Sequence, residues 1–226
     1  GDLEKLMTAI TTGERRCALC GQASVQAVLV DAGRSGSADL DLRPPPDQRG
    51  TIAHWVQECP HCGYCAPAID ERVDGAEETV RSPAYRALRN GGDLPPLVVR
   101  LLCASTMLFH AGRLVEAAET ALWAAWAADD AGATEEARRA RRRTLDLLDE
   151  LRSRGEHYIA DEGAEGLVMV DIARRAGEFD RAERLLDGLA AVDDPRFAAL
   201  VAFQRGRVAA RDRARYTIAE AAGGGP

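Results

Sequence analysis

The sequence predicts an α+β protein that is mostly α, with a small N-terminal β-module followed by an array of antiparallel helices. Two Cys-x-x-Cys-Gly motifs, Cys17–Gly21 and Cys59–Gly63, are separated by a segment long enough for a β-hairpin. From Pro95 onward, apolar residues recur with helical spacing almost to the end of the chain. Aromatic residues make up only 5% of the chain, while alanine, arginine and leucine are abundant, which favours close-packed helices. We therefore expect two domains, residues 1–92 and 93–226.

The charge balance and the apolar pattern limit the classes of partner. The 226 residues carry a formal net charge of −7, from 36 acidic and 29 basic side chains. Nucleic-acid binding by the whole surface is disfavoured, although a local basic stretch leaves it open. No apolar run approaches the roughly 20 residues that span a bilayer, so no membrane association is expected. No charged-then-apolar leader follows Gly1, and paired cysteine motifs are typical of reduced metal ligands, so the expected location is cytoplasmic.

The two cysteine motifs predict a metal site. In each motif the spacing lets both sulfurs of one tight turn face the same ion, and the glycine after the second cysteine supplies the positive φ of the turn. Two such turns predict a closed tetrahedral Zn²⁺ site with four thiolate ligands. A pair of disulfides is the alternative, and it requires an oxidising compartment that the sequence does not indicate. The predicted ligands are Cys17, Cys20, Cys59 and Cys62.

Three elements are expected around these motifs. A helical pattern over residues 2–12, ended by Gly13, predicts a short helix packed on the body of the protein. Its apolar positions are Leu3, Leu6, Met7 and Ile10. The valine-rich segment Ser24–Val30 and the segment Thr51–Gln57 predict two strands that pair as the hairpin of the module. Such a hairpin is marginal alone, so the metal is expected to stabilise it.

The long connection between these predicted strands, residues 31–50, suggests a function. It ends in three consecutive prolines, which predict a stiff, extended arm. Asp39, Asp41 and Arg43 would then project from a semi-rigid rim and could bind a partner. The alternative is a solvated loop whose leucines lie on the hairpin.

The rest of the chain predicts successive helices. Ser82 and Pro83 supply an N-cap and a first helical residue for a short helix through Leu88. The longer helices are predicted from Pro95 to Gly112, and over Leu114–Asp130, 134–153, Leu167–Ala176 and Asp180–Leu189, with a last long helix from Phe197. Residues 223–226 are expected to be a frayed end.

Two helix–helix turns share a template. Gly112–Ala117 and Gly177–Ala182 both follow Gly-x-apolar-x-x-Ala, and their starts lie 177 − 112 = 65 residues apart. This resembles the turn of a tetratricopeptide repeat, whose period is about 34 residues. The resemblance covers roughly residues 95–215 and implies a curved helical array with a concave groove for a protein or peptide.

Several other side chains have two interpretations each. Cys65 is a packed thiol or, alternatively, a redox or nucleophilic one, whereas Cys103 lies on an apolar helix face and belongs to the core. The run Arg138–Arg143 is a solvated, ion-paired helix face or a patch for RNA or an acidic partner. Trp123 and Trp126 are core residues or a pair that anchors a peptide.

The segment Gln48–Tyr64 resembles a family of bacterial proteins in which a Cys-Pro-x-Cys-Gly-Tyr knuckle completes a zinc ribbon ahead of tetratricopeptide-like helices. The stretch Leu40–Pro45 looks like part of the same pattern. That family has no established activity, so the resemblance implies architecture and metal only. Because no catalytic motif was found, we expect a non-enzymatic adaptor that binds a protein partner through its helices. The alternatives are a nucleic-acid-associated factor and a thiol enzyme that uses Cys65.

Overall fold

The structure is a computed structural model that describes residues 9–31, 35–189 and 194–223. In these ranges two antiparallel hairpins occupy the N-terminal part, and helices dominate the rest. The strands are β1 Ala9–Arg16, β2 Ala23–Asp31, β3 Gln57–Glu58 and β4 Cys65–Ala66. The helices are α1 Pro46–Arg49, a 3-10 helix at Gly50–His54, α2 Ala76–Arg81, α3 Pro83–Asn90, α4 Pro96–His110, α5 Leu114–Asp130, α6 Thr134–Ser153, α7 Glu162–Ala176, α8 Phe179–Leu189, α9 Ala198–Ala209 and α10 Ile218–Ala221. The predicted fold class is confirmed at this level.

The first hairpin pairs β1 with β2 and corrects the predicted N-terminal helix. Residues 9–12 are extended, and Gly13, the predicted helix end, lies inside β1. The β-branched run Ile10–Thr12 favours extended backbone. The ladder continues to the Arg16–Ala23 pair, directly beside the first cysteine motif. Leu3, Leu6 and Met7 lie outside the described residues.

The second hairpin corrects the predicted strand pairing. Ser24–Val30 is extended as expected, but its partner is β1, not Thr51–Gln57. Residues 50–54 form the 3-10 helix, and only Gln57–Glu58 is extended, paired with β4. The carbonyl of Ala53 in this helix accepts a hydrogen bond from Arg100 of α4 at 3.2 Å. Contacts with the helices therefore override the β-propensity of the segment.

The helix predictions are largely confirmed. The hydroxyl of Ser82 caps α3 by accepting a hydrogen bond from the backbone N–H of Tyr85 at 3.2 Å. Helix α7 begins five residues before its predicted start because the Asp161 side chain caps it. The last long helix, α9, ends at Ala209. Within the described ranges, no helix is long and apolar enough to cross a bilayer.

The glycine ending found at the two predicted turns closes four helices within the described residues. At Gly112, Gly132, Gly155 and Gly177 the glycine has a φ of +77°, +70°, +72° and +80°, and its N–H donates to the carbonyl three residues earlier. The N–H of the next residue donates to the carbonyl five residues earlier, which is the Schellman ending of a helix. The spacings are 132 − 112 = 20, 155 − 132 = 23 and 177 − 155 = 22, so no period of 34 is observed. The Gly132 copy does not match the sequence template because Thr134 occupies its apolar position.

One continuous cluster of buried apolar side chains connects the hairpin module with the helices. It extends from Cys17 and Cys59 through α4 and α5 to Val208 of α9. Helix α7 is buried on nearly every side. The division at residues 92 and 93 stays a prediction, since the buried cluster includes residues from both sides of it.

A pair of glycine substitutions tests the turn geometry. Gly177→Ala should lower the free energy of unfolding by about 1–2 kcal/mol, because its positive φ disfavours a Cβ and that Cβ would lie 2.8 Å from the Arg138 guanidinium. Gly206→Ala, inside α9 with no atom within 4 Å of its Cβ, should raise it by about 0.5–1 kcal/mol. Urea denaturation measures both changes, and equal effects would contradict the assignment.

Candidate metal centre and its attachment to the helices

The four predicted ligands come together. The Sγ atoms of Cys17, Cys20, Cys59 and Cys62 all lie within 4.8 Å of one another. The Cys17–Cys62 and Cys20–Cys59 sulfur pairs, each formed across the two hairpins, are 3.7 Å apart. A tetrahedral zinc centre with Zn–S bonds of about 2.3 Å has sulfur–sulfur edges of about 3.8 Å. The sulfurs therefore fit a tetrahedral ion, and all four cysteines are free thiols, not disulfides.

The two knuckles have the same backbone structure. In the first, the N–H of Gly21 donates to the Cys17 carbonyl at 2.9 Å, and in the second Gly63 donates to Cys59 at the same distance. The φ angles of these glycines are +73° and +80°, as their position in the motif predicts. Each knuckle lies at the tip of one hairpin, so the two hairpins meet through the sulfurs.

Burial and backbone dipoles tune the thiols unequally. Desolvation raises the pKa of Cys17 and of Cys62 above the ordinary thiol value. Burial opposes ionisation of Cys59 as well, but backbone N–H groups of Cys62 and His61 outweigh it and lower its pKa. A bound cation would favour the thiolate at all four positions. The Arg16 guanidinium donates to the carbonyl of Gly21, the glycine of the first knuckle, at 2.7 Å.

The second knuckle is anchored on α3. The Tyr85 hydroxyl donates to the Gly63 carbonyl at 2.8 Å. Arg89 covers the same glycine so closely that a Cβ there would lie 2.4 Å from its guanidinium carbon. Arg89 also bonds Glu58 of β3 at 3.2 Å. The metal centre and the first helices therefore share contacts.

Cys65 and Cys103 are not part of the candidate centre. Both side chains are fully buried. The neighbouring Cys103 and desolvation raise the pKa of the Cys65 thiol well above its ordinary value, which disfavours a reactive thiolate. The prediction of Cys103 as a core residue is confirmed.

Asp39, Asp41 and Arg43 are placed very differently from the exposed rim that the sequence predicts. Their side chains are 0%, 0% and 4% exposed. They belong to residues 37–45, which we call the strap, and which crosses the helices in extended and turn conformations. The predicted exposure is wrong because arginines and aspartates from distant parts of the chain pair with these side chains. A partner-binding role for the three residues stays a prediction, but their side chains are not exposed to a partner in this structure.

Asp41 is the centre of a buried charge network. Its Oδ2 accepts hydrogen bonds from the Trp126 indole at 2.8 Å and from Arg175 at 3.1 Å, and Arg141 lies 3.7 Å away. Asp129 pairs with both arginines: it accepts a bidentate pair of hydrogen bonds from Arg141 at 2.6 and 3.1 Å and one from Arg175 at 2.9 Å. Burial opposes ionisation of Asp41, but the charges of Arg175 and Arg141 hold the pKa of its carboxyl below the ordinary value.

The two ends of the strap are also held. The Asp39 carboxylate accepts hydrogen bonds from Arg49 at 2.6 Å and from Arg215 at 2.8 Å. Backbone hydrogen bonds join Leu40 to Tyr216, and Asp39 and Thr217 form a β-bridge. At the other end, Arg43 donates to Asp130 at 2.5 Å.

Sequence reasoning missed the helix side of this network. The helical pattern assigns five charged side chains to solvent that the structure places in or beside the core: Asp129, Arg141, Asp171, Arg174 and Arg175. One signal was available, since α7 is apolar around its whole circumference from Leu167 to Ala173 except at Asp171. A charge in such a helix requires a buried partner, here Arg174 at 2.6 Å.

Most arginines of the run Arg138–Arg143 in α6 form ion pairs within the chain. Arg138 and Arg139 pair with glutamates one helical turn earlier, Arg141 with Asp129, and Arg142 with Glu178. Arg143 lies over the ring of Phe109, 5.3 Å from its centroid. The solvated, ion-paired interpretation is therefore supported for most of the run, but Arg141 is buried.

Trp55 attaches the N-terminal module to α5 by contacting two tryptophans of that helix. The Trp55 ring, just after the 3-10 helix, meets the Trp123 ring edge to face at 4.9 Å and the Trp126 ring at 6.4 Å. Trp126 is buried and Trp123 half-buried. The pair on α5 therefore belongs to the core, the favoured interpretation.

A cysteine pair tests the ligand assignment. Cys59→Ser should weaken Zn²⁺ binding by more than about tenfold, because a hydroxyl replaces a thiolate in a four-sulfur set. Cys103→Ala, which removes an equally buried sulfur outside the centre, should leave zinc content unchanged. Elemental analysis and competition with a chelator measure both, and equal loss in the two variants would contradict the assignment.

The buried network predicts a pH-dependent stability. Asp41→Asn should lower the free energy of unfolding at neutral pH by about 3–5 kcal/mol, since it leaves two buried arginines with a single carboxylate, Asp129, between them. Because the pKa of Asp41 is depressed on folding, this deficit should hold at neutral pH. It should shrink as the pH falls from about 3.8 through the lower folded value.

The matched control for this prediction is Glu150→Gln. Glu150 forms an exposed pair with Arg154, so its loss should cost about 0.5 kcal/mol or less. Urea denaturation over a pH series measures both variants. A cost for Asp41→Asn no larger than that of the control would contradict the buried network.

Comparison of the chain with protein-family models, with curated proteins and with solved structures gives no match. What the protein does therefore has to be argued from its own residues.

Proposed function

We propose that the protein is a non-enzymatic adaptor whose N-terminal module is folded around a structural Zn²⁺ and whose helices bind a protein partner. The observation that carries this proposal is the set of four sulfurs within 4.8 Å of one another. Four protein thiolates fill a tetrahedral ion completely, so no position is left for a water or a substrate. A closed set of this kind is typical of structural zinc, whereas catalytic zinc keeps an open position.

Zinc is the metal that this donor set favours for a structural role. Four thiolates at tetrahedral spacing suit Zn²⁺ or iron, and Zn²⁺ has no redox chemistry of its own. The hairpins have little core of their own, so metal binding would supply folding free energy that apolar burial does not. Two hairpins with a knuckle at each tip support the description as a zinc ribbon. Six free thiols support a reducing, cytoplasmic location.

The helices support the adaptor half of the proposal. Consecutive helices from α4 to α9 contact one another, as in a tetratricopeptide-like array, and the repeated glycine turn joins three of the pairs. A groove of about 420 Å³ lies between α6, α7 and α8. It is lined by charges of both signs, including Asp149, Arg152 and Arg184. Such a lining suits a polar peptide better than an apolar ligand.

The two alternative functions have less support. A nucleic-acid-binding surface requires free basic side chains, but most arginines of α6 are paired within the chain. A thiol enzyme requires an accessible thiolate, but Cys65 is buried and its pKa is raised.

Cobalt substitution tests the closed metal site. Co²⁺ in place of the native ion should give the absorption of a tetrahedral four-thiolate centre, and azide should leave that spectrum unchanged because no position is open. Chelation of the native ion should lower the melting temperature of the chain. A spectrum that shifts with azide, or native metal analysis that finds iron instead of zinc, would overturn the structural zinc.

A matched glycine pair tests the partner surface. Gly188, exposed in α8, lines the groove, whereas Gly206 in α9 does not. The immobilised chain should retain a protein partner from cell extract, Gly188→Trp should abolish that retention, and Gly206→Trp should preserve it. No retained protein, or equal loss in both variants, would contradict the adaptor.

A further inference from the structure

The strap makes a peptide-like complex with the helices of its own chain. Over the five residues Asp39–Arg43 it buries two carboxylates and one guanidinium against α5, α6, α7 and the segment after α9. It also forms a β-bridge at Asp39, the backbone contact by which extended peptides dock on a partner. The part of the helical array that contacts Asp41 therefore has the properties of a binding site for an extended acidic segment.

The side of this site that belongs to the helices is built for a carboxylate. Trp126, Arg141 and Arg175 come from three different helices and converge on one carboxylate oxygen. Asp129 holds the two arginine side chains in place from the other side. An indole N–H and two guanidinium groups are donors only, so the site selects an anionic acceptor.

The fit of the strap to this site is incomplete. Within the described residues, the Nε of Arg141 and the Oδ2 of Asp39 are buried without a hydrogen-bond partner. Leu42 holds a φ of +68°, a conformation that L-residues other than glycine rarely adopt, and its side chain is 38% exposed. Buried ion pairs also contribute less net stability than their number suggests, because each charge is desolvated. The bound strap therefore has buried polar atoms without hydrogen-bond partners and a strained backbone at Leu42. A competing segment could bind the same site without these costs.

The strap can leave without unfolding a helix or a strand. It contains no regular element, and the chain before it is rich in small residues: Gly33, Ser35 and Gly36. Its anchor at Asp39 includes Arg215, whose side chain is 46% exposed. A change at Asp39 weakens the strap while leaving both of its arginine partners and the three residues around Asp41 unchanged.

We propose that the site formed by Trp126, Arg141 and Arg175, together with the arginines that hold Asp39, recognises an extended acidic peptide with two aspartates two residues apart. The strap occupies this site in cis as an autoinhibitory ligand. A partner that presents such a segment binds only when the strap is displaced. The apparent affinity of the site for an external peptide is then reduced by the small fraction of chains in which it is open. This inference goes beyond the proposed adaptor role and does not depend on the metal centre.

The test uses the full chain and a fluorescent peptide with the sequence of residues 37–45, read by fluorescence anisotropy. Asp39→Asn should raise the affinity for the peptide roughly tenfold over the unmodified chain, since it weakens the strap but leaves in place the arginines that the peptide's own aspartate would contact. Asp74→Asn is the matched control: Asp74 is exposed and forms no ion pair within the described residues, so this variant should bind as the unmodified chain does.

A second peptide, in which asparagine replaces the residue corresponding to Asp41, should bind the Asp39→Asn chain roughly tenfold or more weakly than the first peptide does, because a charge-assisted hydrogen bond is lost. If Asp39→Asn lowers the melting temperature too far for binding studies, Arg43→Gln weakens the other end of the strap, where Arg43 pairs with the exposed Asp130, and replaces it. Equal affinity of both peptides, no binding to the weakened chains, or equal binding to the Asp39→Asn and Asp74→Asn chains would overturn the proposal. Metal content is measured in parallel, so a failed metal centre and a failed peptide site give different results.

Discussion

The carboxylate of Asp41 is the interaction on which the arrangement of this molecule depends. It lies where the strap meets α5, α6 and α7, and two guanidinium groups and an indole converge on it. A buried carboxylate without these donors would cost far more free energy than local folding of the strap returns. The strap can therefore be ordered only when three helices are already assembled. The assembled helices hold two buried arginines that share one carboxylate, Asp129, and Asp41 supplies a second.

The candidate metal centre concerns a different part of the molecule, the two N-terminal hairpins. The two hairpins bury few apolar side chains of their own, and the four sulfurs lie where one ion could join their tips. Tyr85 and Arg89 then connect the second knuckle to α3, and Trp55 connects the following segment to α5. Local metal chemistry and long-range packing are thus coupled through a few polar and aromatic contacts.

The strap changes what an adaptor role would require. A helical array that binds peptides is usually pictured with an open groove, but part of this array already holds a segment of its own chain. Any partner that uses the Asp41 site has to compete with a ligand at very high effective concentration, because that ligand is tethered to the site. Among the described residues, no segment of the chain occupies the groove between α6, α7 and α8. The two surfaces would therefore respond to partners in different ways.

The sequence alone determined the four-cysteine set and most helix bounds, because knuckle spacing, proline starts and glycine ends act over a few residues. It misplaced the strands beside the knuckles, since Thr51–Gln57 has β-propensity that contacts with α4 override. Only the tertiary structure decided that Asp39, Asp41 and Arg43 are buried, because their partners lie on helices far away in sequence. A charge is placed by the donors that surround it, and those donors are adjacent only after the chain has folded.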